Sequence, residues 1–127
     1  MSNYYDQLSK YTIIVADTGD INSIAKFRPR DATTNPSLIT AAAQMPDYDD
    51  VVTAALKKSR EEVGGEDNKA IVARAIDRLS VEFGKRILEL VEGRVSTEVD
   101  ARLSYDTEAT IAKAKELIGF YLSLIHI

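Results

Sequence analysis

The sequence predicts an α/β fold built on parallel strands. Three short, β-branched apolar stretches alternate with longer stretches whose apolar residues recur at helical spacing. No hairpin signal such as Asn-Gly joins one strand stretch to the next. Helix therefore bridges each pair of strands, which implies parallel strands with right-handed crossovers. The chain has 127 residues, 45% hydrophobic and 28% charged, enough for one ordinary domain with its own core. It shows no internal repeat and no low-complexity segment.

Residues 11–17, "YTIIVAD", read as a buried strand that stops at "TGD". "DINSIAKF" follows as a short helix with Asp20 or Asn22 near its start. Ala32–Thr34 read as a strand end, and Asn35-Pro36 as a helix cap followed by its first helical residue. Pro46-Asp47 opens a helix with Tyr48, Val51, Val52, Ala55 and Leu56 on one face, stopped by Gly64-Gly65. Val72, Ile76, Leu79, Phe83, Ile87 and Leu90 predict one long amphipathic helix, ended by Gly93. Gly84 inside it should cost about 1 kcal/mol relative to Ala. Arg94 to Val99 form the third strand, and Ile111, Ala114, Ile118 and Tyr121 mark the face of a last helix.

Composition narrows the function classes. Net charge is −4, and no face collects lysine and arginine, which argues against a nucleic-acid or anionic-membrane partner. The absence of cysteine excludes disulfides, thiolate metal sites and thiol nucleophiles. With His126 as the single histidine, neither a His-based metal site nor a histidine relay is expected. "MSNYYDQLSK" has no secretory pattern, and no apolar run reaches a membrane span, so a cytoplasmic protein is expected.

Functional groups of parallel α/β folds gather at the C-terminal ends of the strands. The three strands here end at Asp17, Asn35 and Glu98. By period-two alternation Asn35 shares a face with Thr33, and Glu98 with Ser96. Two carboxylates, an amide and two hydroxyls at one rim suit a polyhydroxylated substrate: the amide and hydroxyls orient it, the carboxylates move protons. Each residue also has a plainer reading. Asp17 can close an Asx-turn, and Asn35 is most simply a helix cap. Glu98, between Thr97 and Val99, is expected to be buried or half-buried, where a lone carboxylate is costly. Asp31 and Asp100 read as turn or capping groups, Tyr105 and Asp106 as loop residues open to substrate contact or capping. The charges of the long helix read as a solvated face.

"VADTGD", "DATTNPSLI" and "GRVSTEVDARLSYDTEATIAKAKELI" resemble the first three strand–helix units of a transaldolase, over roughly residues 8 to 121. The resemblance implies a (β/α)₈ barrel that works without cofactor or metal on sugar phosphates. In that family a lysine amine forms a Schiff base with a ketose phosphate, and a dihydroxyacetone unit passes to an aldose phosphate. Typically, sedoheptulose 7-phosphate and glyceraldehyde 3-phosphate give erythrose 4-phosphate and fructose 6-phosphate. By resemblance, Asp17 is the base that takes a hydroxyl proton as the carbon–carbon bond breaks. Glu98 serves Schiff-base formation through a water, and Asn35 holds the bound unit, with Thr33 and Ser96 beside it. A homodimer of the full-length enzyme is compatible with the resemblance.

The family's nucleophilic lysine belongs to a fourth strand that this chain does not contain. Lys10, Lys26, Lys57, Lys58, Lys69, Lys85, Lys113 and Lys115 fall in helices or loops, none in a strand beside Asp17 or Glu98. A barrel of this type needs about 250 residues. Residues 1–121 are therefore read as the N-terminal part of such a barrel, inactive by itself. The closing "LSLIHI" matches one reading frame of the transposase end sequence of common sequencing adapters, so residues 122–127 are read as a non-native tail in which His126 has no role. The alternative is a genuine helical extension packing Leu122, Leu124, Ile125 and Ile127 on the sheet. Two other functional readings stand beside the first: a non-catalytic half-barrel that associates through its open edges, and a related Schiff-base aldolase.

Overall fold

A computed structural model describes residues 3–122. Its strands β1 (Val15–Asp17), β2 (Asp31–Thr34) and β3 (Val95–Thr97) form one sheet in the order β1-β2-β3. Both pairings are parallel. A consecutive parallel sheet with helical crossovers is what the first units of a (β/α)₈ barrel supply, as expected.

The helices start where local chemistry allows. Asn3 and Asp6 cap each other at α1 (Tyr4–Leu8), a capping box that the sequence reading missed. The Asp20 carboxylate accepts the Asn22 and Ser23 N–H groups and opens α2 (Ile21–Phe27). Asn35 and Pro36 open α3 (Pro36–Ala42). A 3₁₀ turn at Pro46–Tyr48 leads into α4 (Asp49–Val63), which ends at Gly64 with φ +65°. Asp67 caps α5 (Asn68–Leu88). A second 3₁₀ turn, Ala101–Leu103, precedes α6 (Thr107–Leu122).

The helix α5 organises the rest. It touches α2, α3, α4, α6, β2 and β3. One apolar cluster joins Ile39, Ala42, Tyr48, Val51, Ala55, Leu79 and Phe83, with the Tyr48 and Phe83 rings edge to face at 4.9 Å. A second joins Ile24, Ala32, Ile87 and Val91 under the sheet, with Ala16 and Val95 packed against it. Burial of this kind contributes about 25 cal/mol per Å² of apolar surface. These two clusters place the helices on one face of the sheet and leave the other open.

Several expectations are corrected. β1 is not a buried strand: Val15 is 48% exposed, because its side chain lies on the open face. β3 spans Val95–Thr97 rather than Arg94–Val99. The buried stripe of α5 begins with Ile71 and Ala75, while Val72 and Ile76 are exposed. Small Ala75 and Ala55 permit close packing of α4 on α5, so a bulky pair is not required there. On α6 only Leu117 is buried, and Ile111 and Ile118 are exposed.

Gly93 does not end α5, which stops at Leu88. It lies against β2, and a side chain there would come within 2.7 Å of the Arg30 carbonyl oxygen. The charges of α5 are not simply solvated. Arg78 pairs with Glu62 of α4, Arg74 with Glu62 and Glu116, and Lys113 of α6 with Asp77. α6 is described as far as Leu122; the remainder of the expected tail lies outside the described residues.

Candidate functional site at the strand ends

Strand register brings three of the predicted residues together on the open face. Asp17 is opposite Thr33, and Thr33 is opposite Ser96. The three side chains thus form one row across the sheet, and the Thr33 hydroxyl donates to Asp17 Oδ1 at 2.9 Å. Two residues beyond Thr33 and Ser96, just past the last residues of β2 and β3, come Asn35 and Glu98. Asn35 keeps extended backbone (φ −138°, ψ 164°), so the alternation holds through it.

The row also sets a distance. Strands lie about 4.8 Å apart and rise about 3.3 Å per residue, so the Asp17 and Glu98 Cα atoms are about 12 Å apart. Two carboxylates so separated cannot share one proton as a dyad does. The Thr33 and Ser96 hydroxyls lie in the row between them.

Each member has a distinct engagement. Asn35 is a helix cap, as one of its two readings had it: its Oδ1 accepts the Leu38 N–H at 3.0 Å and the Ser37 hydroxyl. Its amide NH₂ makes no hydrogen bond among the described residues and is left to donate outward. Glu98 corrects the expectation of burial: it is exposed, and its carboxylate has no hydrogen-bond partner among the described residues. The buried Thr34 hydroxyl donates to the Ser96 carbonyl at 3.4 Å and ties β2 to β3.

Asn35 and Glu98 stand at one end of a cleft of about 750 Å³ that runs between α5, α6 and the loop after β3. Its far wall carries Asp77, Asp100, Arg102 and Lys113. Asp100 caps the 3₁₀ turn, and Asp106 accepts the Ala109 N–H at 2.9 Å, so both are capping residues. The Arg102 guanidinium, followed by the Arg102 N–H, holds the Asp100 carboxyl down at about 2. Tyr105 is fully exposed in the loop. Asp31 closes the opposite end of the sheet, accepting the Arg94 N–H at 2.8 Å.

Lys113 is the lysine that lines the same cleft as Glu98. The sequence reading set it aside as a polar helix position, and the geometry gives a stronger reason. Its Nζ is 2.7 Å from Asp77 and 2.6 Å from Glu116. Burial lowers its pKa, but hydrogen bonds to those two carboxylates outweigh burial and raise it. A Schiff-base lysine needs the opposite shift. Lys113 is thus held as a cation between two carboxylates.

A family model for transaldolase/fructose-6-phosphate aldolase matches residues 14–127. Transaldolase of Methylococcus capsulatus is 64% identical over 120 residues, 94% of this chain and 36% of that protein. Transaldolase of a Synechocystis species is 62% identical over 120 residues, covering 94% of this chain and 31% of that protein. Transaldolase of Gloeobacter violaceus is 65% identical over 117 residues, 91% of this chain and 30% of that protein. The chain thus spans about a third of the length of these curated relatives.

Proposed function

The chain belongs to the transaldolase/fructose-6-phosphate aldolase family, and on that premise we propose that it supplies the donor-binding half of a transaldolase site. The observation that carries this reading is the single open face holding Asp17, Thr33 and Ser96 in one row with Asn35 and Glu98 beyond. The substrates are sugar phosphates, with sedoheptulose 7-phosphate and glyceraldehyde 3-phosphate giving erythrose 4-phosphate and fructose 6-phosphate. The setting is cytoplasmic; no helix among the described residues is long and apolar enough to cross a membrane.

In this scheme a lysine from a strand outside this chain attacks the ketose carbonyl. Glu98, through a water, gives a proton to the departing hydroxyl and later, as the carboxylate, takes one back from the hydrolytic water. Asp17 takes the proton of the hydroxyl next to the breaking bond. The bond electrons move into the iminium, an aldose leaves, and a three-carbon enamine stays on the lysine. The Asn35 amide, with Thr33 and Ser96, hydrogen-bonds the hydroxyls of that unit. The separation of the two carboxylates supports separate roles at separate carbons.

Borohydride reduction in the presence of fructose 6-phosphate tests the assignment of the nucleophile. This chain by itself is expected to take no specific label, because no lysine of its strands faces Glu98. Stoichiometric labelling of Lys113 or another lysine would overturn it. The family description also covers fructose-6-phosphate aldolase. Acceptor dependence separates the readings in the complete enzyme: a transaldolase passes the three-carbon unit to an aldose phosphate, an aldolase releases it.

A further inference from the structure

We propose that Tyr121, seated on Gly84 and hydrogen-bonded to Thr97, is a positioning residue for Glu98. The inference rests on the reading of Glu98 as the acid/base group, and adds to it a named support on the opposite face of the sheet.

Thr97 is the last residue of β3 and stands directly before Glu98. The register pairs end there, at Thr34 and Thr97. Glu98 therefore extends past the ladder, and its own carboxylate has no partner among the described residues. Alternation turns Thr97 to the helices and Ser96 to the open side, and Glu98 follows directly at the mouth of the cleft. On the helix side the Thr97 hydroxyl lies 2.6 Å from the Tyr121 hydroxyl. That bond fixes the strand at the residue from which Glu98 projects.

Tyr121 is held in turn. Lys85 donates to the Phe120 carbonyl at 3.2 Å and lies 5.9 Å from the Tyr121 ring centre. The Tyr121 hydroxyl passes over α5 at Gly84. A methyl group on Gly84 would come within 2.9 Å of the ring carbon bearing the hydroxyl, closer still to the hydroxyl, and within 3.3 Å of the Thr97 hydroxyl. This gives the mid-helix glycine its reason: it is the gap through which a helix-borne phenol reaches the sheet. Burial, partly opposed by the Thr97 hydrogen bond, raises the Tyr121 pKa, so the phenol stays neutral.

The test uses the complete enzyme that carries these units, with the rate and final amplitude of borohydride-trappable Schiff base from fructose 6-phosphate as readouts. Tyr121→Phe and Thr97→Val each delete one hydroxyl of the pair with little change of shape. Each is expected to slow Schiff-base formation about tenfold, since small misplacements of a catalytic group cost up to about 10² in rate. The final amplitude and the KM should stay within about twofold. The double variant should be no slower than either single one, because both remove the same contact. Thr97→Ser, which keeps the hydroxyl, should retain the rate.

Should Tyr121→Phe fail to fold, Thr97→Val and Thr97→Ser carry the test alone. Wild-type rates in Thr97→Val, alongside a large loss in Glu98→Gln, would overturn the positioning role and leave Glu98 in place. A wild-type rate in Glu98→Gln itself would overturn the reading of Glu98 and this inference with it.

Discussion

Asn35 is asked to do two things, and two substitutions separate them. Its Oδ1 caps α3 through the Leu38 N–H at 3.0 Å, while in the proposed function its NH₂ donates to the bound sugar. Asn35→Ala removes both functions. The helix it caps has only seven residues, but it carries the buried Ile39 and Ala42 into the core. Loss of an Asn cap costs about 1 kcal/mol, within a range of about 0.5–2. The Ser37 hydroxyl that also used Oδ1 is exposed and finds water instead, so it adds little. For a chain of this size, 1 kcal/mol corresponds to a fall in Tm of about 3–6 °C. Asn35→Asp keeps an oxygen at the cap and places negative charge at a helix N-terminus, which is favourable. Its stability should lie within about 0.5 kcal/mol of wild type, yet it has no amide to donate. Urea denaturation of the chain reads the first effect, and fructose 6-phosphate binding by the complete enzyme the second. Equal destabilisation by Ala and Asp would refute the capping argument. Undiminished sugar binding by Asn35→Asp would refute the substrate role.

Further outcomes follow from packing and charge. Gly93→Ala should destabilise by about 1–3 kcal/mol in denaturant titration, because the added methyl meets the Arg30 carbonyl and the Asp31 carboxylate. Asp100 has a folded pKa of about 2 against the usual 3.8, so its contribution is present above about pH 4 and fades as pH falls towards 2. The Tm gap between wild type and Asp100→Asn should therefore be open at pH 6 and close by pH 2. Lys113→Met leaves Asp77 and Glu116 without that cation; an effect of about 1 kcal/mol, reduced by salt, is expected in urea titration at two ionic strengths.

What the sequence disclosed was local chemistry. Asn35-Pro36 and Asp20 announced their helices because cap and first turn lie within a few residues of each other. The strand ends were legible to within a residue for the same reason: β1 ends at Asp17, while β2 and β3 end at Thr34 and Thr97, one residue before Asn35 and Glu98. Burial was not legible, since it depends on neighbours distant in sequence. Val15 reads as core but faces away from every helix that packs on the sheet. Ile111 and Ile118 outrank Leu117 in a periodicity count, yet Leu117 meets the cleft and they do not. Gly84 read as a cost in a helix because nothing nearby names Tyr121 as its partner. Glu98 was expected inside because it was read within the strand, but β3 ends at Thr97 and Glu98 stands exposed just beyond it. Lys113 was dismissed for its position, while its two carboxylate partners are what disqualify it.

The central claim is that Asp17, at one end of the row, breaks the carbon–carbon bond while Glu98, at the other, serves the Schiff base. Mass spectrometry of the borohydride-trapped complete enzyme after reaction with fructose 6-phosphate tests it directly. Wild type should carry the three-carbon dihydroxyacetone adduct. Asp17→Asn should form the Schiff base but stall before cleavage, and should carry the intact six-carbon sugar phosphate. A three-carbon adduct at the wild-type rate in Asp17→Asn would contradict the account.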